Sequence, residues 1–241
     1  MTLPTRRLTG LLAGLLAATT TAACLAPDAV PGDDTGGTGG STGTSTTGGG
    51  ATGGTLLWAR SYGNDTVDNA RARSLATTPD DAVLVAGDFS GSLTIGSLPT
   101  MQNSTGRDAF VAQLDASGHP AWSIAFAGLG DQLVYQAVAA PGGGVVIAGS
   151  FTQELAFAGQ DMGNEPQGSD GFVASLDDEQ VLRWLVRIDG SGDRAVHALA
   201  VTPTGDVVIA GTFDDTLHVA TTTIEGDLDG SDFFVARLGS T

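Results

Sequence analysis

A single cysteine, Cys24, stands in a chain of 241 residues, so no disulfide can form within it and the fold must hold together through its core. Lysine is missing altogether: all 10 basic residues are arginine, against 27 aspartates and glutamates, for a formal net charge of −17. A surface this acidic repels nucleic acid and anionic lipid and argues against both as partners. It suits cations, basic proteins or neutral glycans, and its self-repulsion favours solubility. Histidine occurs three times, at His119, His197 and His218. No His-x-x-x-His pair or second cysteine is present for a transition metal, no Gly-x-Ser-x-Gly elbow outside the glycine-rich run that holds Gly39–Gly43, and no glycine-rich loop ending in Lys-Ser or Lys-Thr. These absences point away from an enzyme and toward a protein without a resident cofactor.

The N-terminus is read first as an address. Met1 to Ala23 has a basic start (Arg6, Arg7), an apolar stretch from Leu8 to Ala18 too short to span a bilayer, and small residues before Cys24. Residues 1–23 are therefore expected to be a secretory signal, and Arg6-Arg7 also fits twin-arginine export. The small-small-Cys ending resembles the bacterial lipoprotein lipobox, with Thr21 where leucine is usual. That resemblance implies cleavage before Cys24 and lipid on its thiol and new amino group. It places the protein at the bacterial cell envelope, touching the membrane through the lipid alone. Loss of Arg6 and Arg7 takes the net charge from −17 to −19. Residues 24–54 are almost entirely Gly, Thr, Ser, Asp, Pro and Ala. They bury too little apolar surface to offset their ordering entropy and are read as a tether spanning roughly 30 Å.

Residues 55–241 suffice for one core, and they carry a pattern in triplicate. Val83–Phe89 (VLVAGDF), Val145–Phe151 (VVIAGSF) and Val207–Phe213 (VVIAGTF) are each 62 residues apart. Asp108–Leu114 (DAFVAQL), Asp170–Leu176 (DGFVASL) and Asp232–Leu238 (DFFVARL) keep the same step, while Trp58, Trp122 and Trp184 are spaced by 64 and then 62. A fixed period of this length marks a repeat architecture. Within one period the turn residues separate four strands: NARARSLAT, VLVAG, FVAQL and AWSIAFA, with counterparts in the later copies. Between the second and third strands runs an excursion (90–106, 152–168, 214–230) with its own alternating piece, such as Leu93 and Ile95. The runs Val145–Gly149 and Val207–Gly211 are apolar without a break, which calls for sheets covered on both faces. Phe110, Phe172 and Phe234 are expected to fill the gaps between sheets. The fold class is thus all-β: three repeats forming four-stranded, propeller-type blades.

Gly-Asp at Gly130-Asp131 and Gly192-Asp193, the VVIAG strand, Asp-x-Phe-Val-Ala-x-Leu and the Trp strand together resemble the bacterial β-propeller repeat often called the SBBP repeat, found in exported proteins. The resemblance covers nearly all of 56–238 and implies a propeller. It departs in the first copy, which reads Gly63-Asn64-Asp65, and in number, since family members usually carry enough repeats to close a ring. Leu56–Tyr62 reads as a fourth-type strand with no blade before it, and the last copy lacks one. Either a partial propeller remains open, or two chains form a six-bladed homodimeric ring, each donating Leu56–Tyr62 to the other's third blade.

Candidate sites are few. Asp108, Asp170 and Asp232, with Asp131 and Asp193, are read as turn aspartates accepting backbone N–H bonds. Asp227, Asp229 and Asp232 in GDLDGSD have the alternate spacing for Ca²⁺ without the length of an EF-hand loop. The tryptophans are assigned to the core rather than to sugar stacking. The expectation is a non-catalytic binding or scaffolding module for a protein or glycan, its specificity in the excursions. The alternatives are a Ca²⁺-binding adhesin-like structural protein or, behind it, a propeller hydrolase or lyase.

Overall fold

A computed structural model describes residues 56–63, 68–103, 105–163, 168–227 and 230–239. The signal, the tether, Cys24 and Asp229 lie outside the described residues. The described chain is all-β: β1 (Asn69–Thr77), β2 (Val83–Ser90), β3 (Ser92–Leu93), β4 (Met101–Gln102), β5 (Asp108–Leu114), β6 (Pro120–Phe126), β7 (Gln132–Ala139), β8 (Val145–Phe151), β9 (Glu154–Phe157), β10 (Gln160–Gly163), β11 (Asp170–Leu176), β12 (Leu182–Ser191), β13 (Arg194–Val201), β14 (Val207–Asp214), β15 (Thr216–Val219), β16 (Thr222–Glu225) and β17 (Ser231–Leu238).

Three antiparallel sheets carry the motifs. The first runs β1-β2-β5-β6, the second contains β7-β8-β11-β12, and the third is β13-β14-β17. The excursions fold as hairpins: β3 with β4, β9 with β10, β15 with β16. Their alternating residues are anchors, since Leu93, Ile95, Leu155 and Leu217 are buried. The last hairpin also adds to the second sheet, where β15 pairs with β12 through Ile188↔Val219, making six strands. Among the described strands no sheet closes into a barrel.

The glycine of each VxxAG motif is explained by the strand beside it. In each sheet the first strand carries a β-bulge at the same place: Arg73 between Ala72 and Ser74, Tyr135 between Val134 and Gln136, His197 between Val196 and Ala198. Opposite lie Gly87, Gly149 and Gly211, where an added Cβ would overlap the carbonyl oxygens of Arg71, Leu133 and Ala195. Only glycine permits that backbone approach.

The sheets pack in series. Leu84, Ala86, Ala109 and Val111 of the first meet Val145, Ile147, Phe151 and Phe172 of the second. Val146, Ala148 and Val173 of the second meet Val196, Ile209, Phe213 and Phe234 of the third. Consequently β8 and β11 are buried along their whole length. The same motif in β14 is buried only on alternate residues, and in β17 only Phe234 is buried, because one face of the third sheet is uncovered. Side chains of one sheet also bond the backbone of the next. Ser74 Oγ accepts from Ala137 N–H at 3.0 Å, and Gln136 Oε1 accepts from Leu199 N–H at 2.7 Å.

The N-terminal segment corrects one expectation. Leu56–Tyr62 forms no strand but lies on its own first sheet. Trp58 Nε1 donates to Ala116 O at 3.0 Å and Tyr62 Oη to Gly118 O at 2.7 Å, and both rings cover the cluster of Phe89, Phe110 and Leu114. With no third strand of a preceding sheet to pair with, the segment is held by its aromatic rings rather than by a backbone ladder.

Candidate functional site

The bulges re-aim three side chains onto one side of the stack. Arg73, Tyr135 and His197 are one repeat apart and form a continuous row. The Arg73 guanidinium sits 5.7 Å from the Tyr135 ring centre, and the Tyr135 and His197 ring centres are 4.9 Å apart. Each also has a partner from the second strand. Arg73 pairs with buried Asp88, Tyr135 Oη accepts from Ser150 Oγ at 3.2 Å, and His197 Nε2 meets Thr212 Oγ1 at 3.1 Å. Burial pushes the His197 pKa down, which favours the neutral imidazole.

Beside this row opens a groove of about 540 Å³, lined by Tyr135, Ser150, Asp193, His197, Thr212 and Asp214 among others. Hydroxyls, a phenol, an imidazole and carboxylates make it a hydrogen-bonding surface with one aromatic edge. The His197–Thr212 contact joins an imidazole to a hydroxyl, but among the described residues no carboxylate bonds Nδ1, so the pair lacks the third member of a hydrolytic triad.

The aspartate series is less uniform than its motif. Asp131 and Asp193 link sheets rather than only shaping turns. Arg107 Nη2 donates to Asp131 Oδ2 at 2.8 Å, and Ser169 N–H donates to Asp193 Oδ1 at 2.8 Å. Asp108 and Asp170 are both buried at equivalent positions, yet their surroundings differ. Asp170 receives Arg194 Nη1 at 2.7 Å and Arg187 Nη2 at 2.6 Å, and burial raises its pKa against both arginines. One repeat earlier those arginines are Gln132 and Ala125. Burial of Asp108, opposed only by the Asn103 amide at 2.8 Å, pushes its pKa up to about 6.

Of the residues proposed for Ca²⁺, Asp232 Oδ2 accepts Asp227 N–H at 2.8 Å, a turn-closing bond, and Asp229 lies outside the described residues. Among the described residues three acidic groups approach within 4.8 Å at Asp177, Asp178 and Glu179, in an exposed turn whose Asp177 carboxylate accepts Val181 N–H at 2.7 Å. His119 pairs with Asp115 at 3.4 Å in a turn, and His218 with Asp189 at 3.0 Å. Trp122 and Trp184 pack at the junctions between sheets, as core residues do.

The row was hidden because its members differ in kind: an arginine, a tyrosine and a histidine share no motif. Reading down the chain at intervals of 62 residues for positions that change type would have found it. Compared with known proteins, the chain matches no family model and no curated sequence.

Proposed function

We propose that this chain is an exported, lipid-anchored, non-catalytic binding module of the bacterial cell envelope. Its three sheets act as propeller-type blades of the SBBP kind and present the groove beside Tyr135 and His197 to a protein or neutral glycan. The observation that carries this reading is the row itself. Side-chain type changes at each copy, Arg73, Tyr135, His197, while the glycine beneath it, Gly87, Gly149, Gly211, does not. A rigid frame with exchangeable polar groups is how repeat scaffolds build recognition surfaces. The excursions contribute from their roots, since Thr152, Ser169, Asp214 and Ser231 line the same groove.

The test is a panel of neutral glycans and envelope-extract proteins presented to the chain and to a Tyr135→Ala, His197→Ala double variant. Binding lost in the double variant, with folding intact by circular dichroism, supports the assignment. Binding indifferent to both substitutions places recognition elsewhere.

A further inference from the structure

The two ends of the stack expose complementary halves of one interface. At the first sheet, Leu75 is 67% exposed, whereas its equivalents Ala137 and Leu199 are 1% and 5% exposed. Ala72 is exposed where Val134 and Val196 are buried, and Val83 and Val85 are half-buried where Val145 and Ile147 are buried. At the third sheet, Phe233 is 82% and Val235 62% exposed, whereas Val111 and Val173, equivalent to Val235, are at 0%. Inside the chain the second class of face packs on the first class twice, first sheet on second and second on third. The leftover ends are one face of each class.

Size matching points to the same occupant. Between the second and third sheets, Gly171 lies against Val196, so close that an added Cβ would come within 3.1 Å of Val196 Cγ2. At the free ends the bulk is exchanged: Phe233 takes the place of Gly171, and Ala72 the place of Val196. A small-on-large contact becomes large-on-small, which conserves packed volume. The backbone edge matches as well. β17 is the outer strand of the third sheet, and Trp58 packs on the first-sheet cluster as its repeat counterpart Trp122 of β6 packs on the cluster shared with the second sheet. Leu56 and Leu57 are themselves exposed.

We propose that the third sheet of one copy of this chain docks on the first sheet of a second copy, Phe233 and Val235 against Ala72, Leu75, Val83 and Val85. The contact is head-to-tail, so it either closes into a ring or propagates. Leu56–Tyr62 stays on its own first sheet and lies along β17 of the neighbour.

Light scattering of the full chain carrying Cys24→Ser, which removes the lipid, reads the mass directly. A dimer or higher multiple of 24.1 kDa at micromolar concentration is expected. Leu75→Asp and Phe233→Asp alter exposed positions and leave the fold intact. Each alone is expected to weaken association at least tenfold. Mixed together they re-form a one-to-one complex, because one variant keeps its tail face and the other its head face. A wild-type monomer, an assembly indifferent to both substitutions, or single variants that do not complement each other would overturn the proposal.

Discussion

Replacing Gly149 by alanine tests the bulge more directly than any deletion of a contact. The position lies in the middle strand of the second sheet, with Val134 opposite on β7 and Phe172 opposite on β11. A Cβ there would overlap the Leu133 carbonyl oxygen and stand 3.0 Å from Phe172 Cε1. The phenyl ring can yield a few tenths of an ångström, but the carbonyl cannot without opening the bulge. Overpacking of a closed core costs about 1–3 kcal/mol, and a lost backbone hydrogen bond adds about 1 kcal/mol. We therefore expect a loss of about 3 kcal/mol. In a domain of this size that lowers Tm by roughly 6–12 °C. Urea unfolding followed by circular dichroism measures it, with Gly163→Ala as control, since a Cβ there meets no atom within 4 Å and costs under about 0.5 kcal/mol. The same substitution should displace Tyr135 and loosen its contact with His197. If Gly149→Ala unfolds at the same urea midpoint as the control, the glycine is not holding the bulge and the account of the row fails.

Other substitutions separate buried from exposed contributions. Phe172→Ala, at the junction of the first two sheets, should cost about 3–5 kcal/mol by thermal melting, while Phe233→Ala, exposed on the open face, should leave the Tm of dilute protein unchanged. Arg194→Ala leaves the buried Asp170 carboxylate to Arg187 alone and should cost about 2–3 kcal/mol, whereas Arg237→Ala, which loses a largely exposed pair with Asp206, should cost under about 1 kcal/mol. A reversed order in chemical denaturation would contradict the assigned burial. Asp108 supplies the pH dependence. Its folded pKa of about 6 lies above the ordinary 3.8, so between those values the folded chain keeps a proton that the unfolded chain releases, and this group's stabilisation fades as pH rises through the window. Asp108→Asn should remove that slope and gain on the order of 1–2 kcal/mol above pH 6, after allowing for solvent reaching the Asn103 loop. Parallel stability curves for the two proteins from pH 4 to about 7 would rule the effect out.

Much of the strand content could be read in advance because strand periodicity and turn chemistry are local. The expected VVIAG and FVASL segments fall within strands Val145–Phe151 and Asp170–Leu176, Phe110, Phe172 and Phe234 are buried, and the alternating pieces of the second and third excursions lie in strands Glu154–Phe157 and Thr216–Val219. What escaped the reading depended on neighbours. Leu56–Tyr62 has the composition of a fourth strand, but a strand needs a partner edge, and the segment finds only the turn at Ala116 and Gly118. Asp108 and Asp170 open the same motif, yet the arginines that distinguish them come from positions 187 and 194, on two other strands. The row of Arg73, Tyr135 and His197 is invisible as a motif because what its members share is a backbone distortion.

From the order of residues alone come the all-β class and the period of 62, since strand alternation, turn residues and repetition are written along the chain itself. Tertiary structure decided which copies of one motif are sealed and which are open. Val173 and Val235 occupy equivalent places in nearly identical strands, and one is buried while the other faces solvent. The difference is a neighbouring sheet, and burial is a property of what lies across the gap rather than of the strand that faces it.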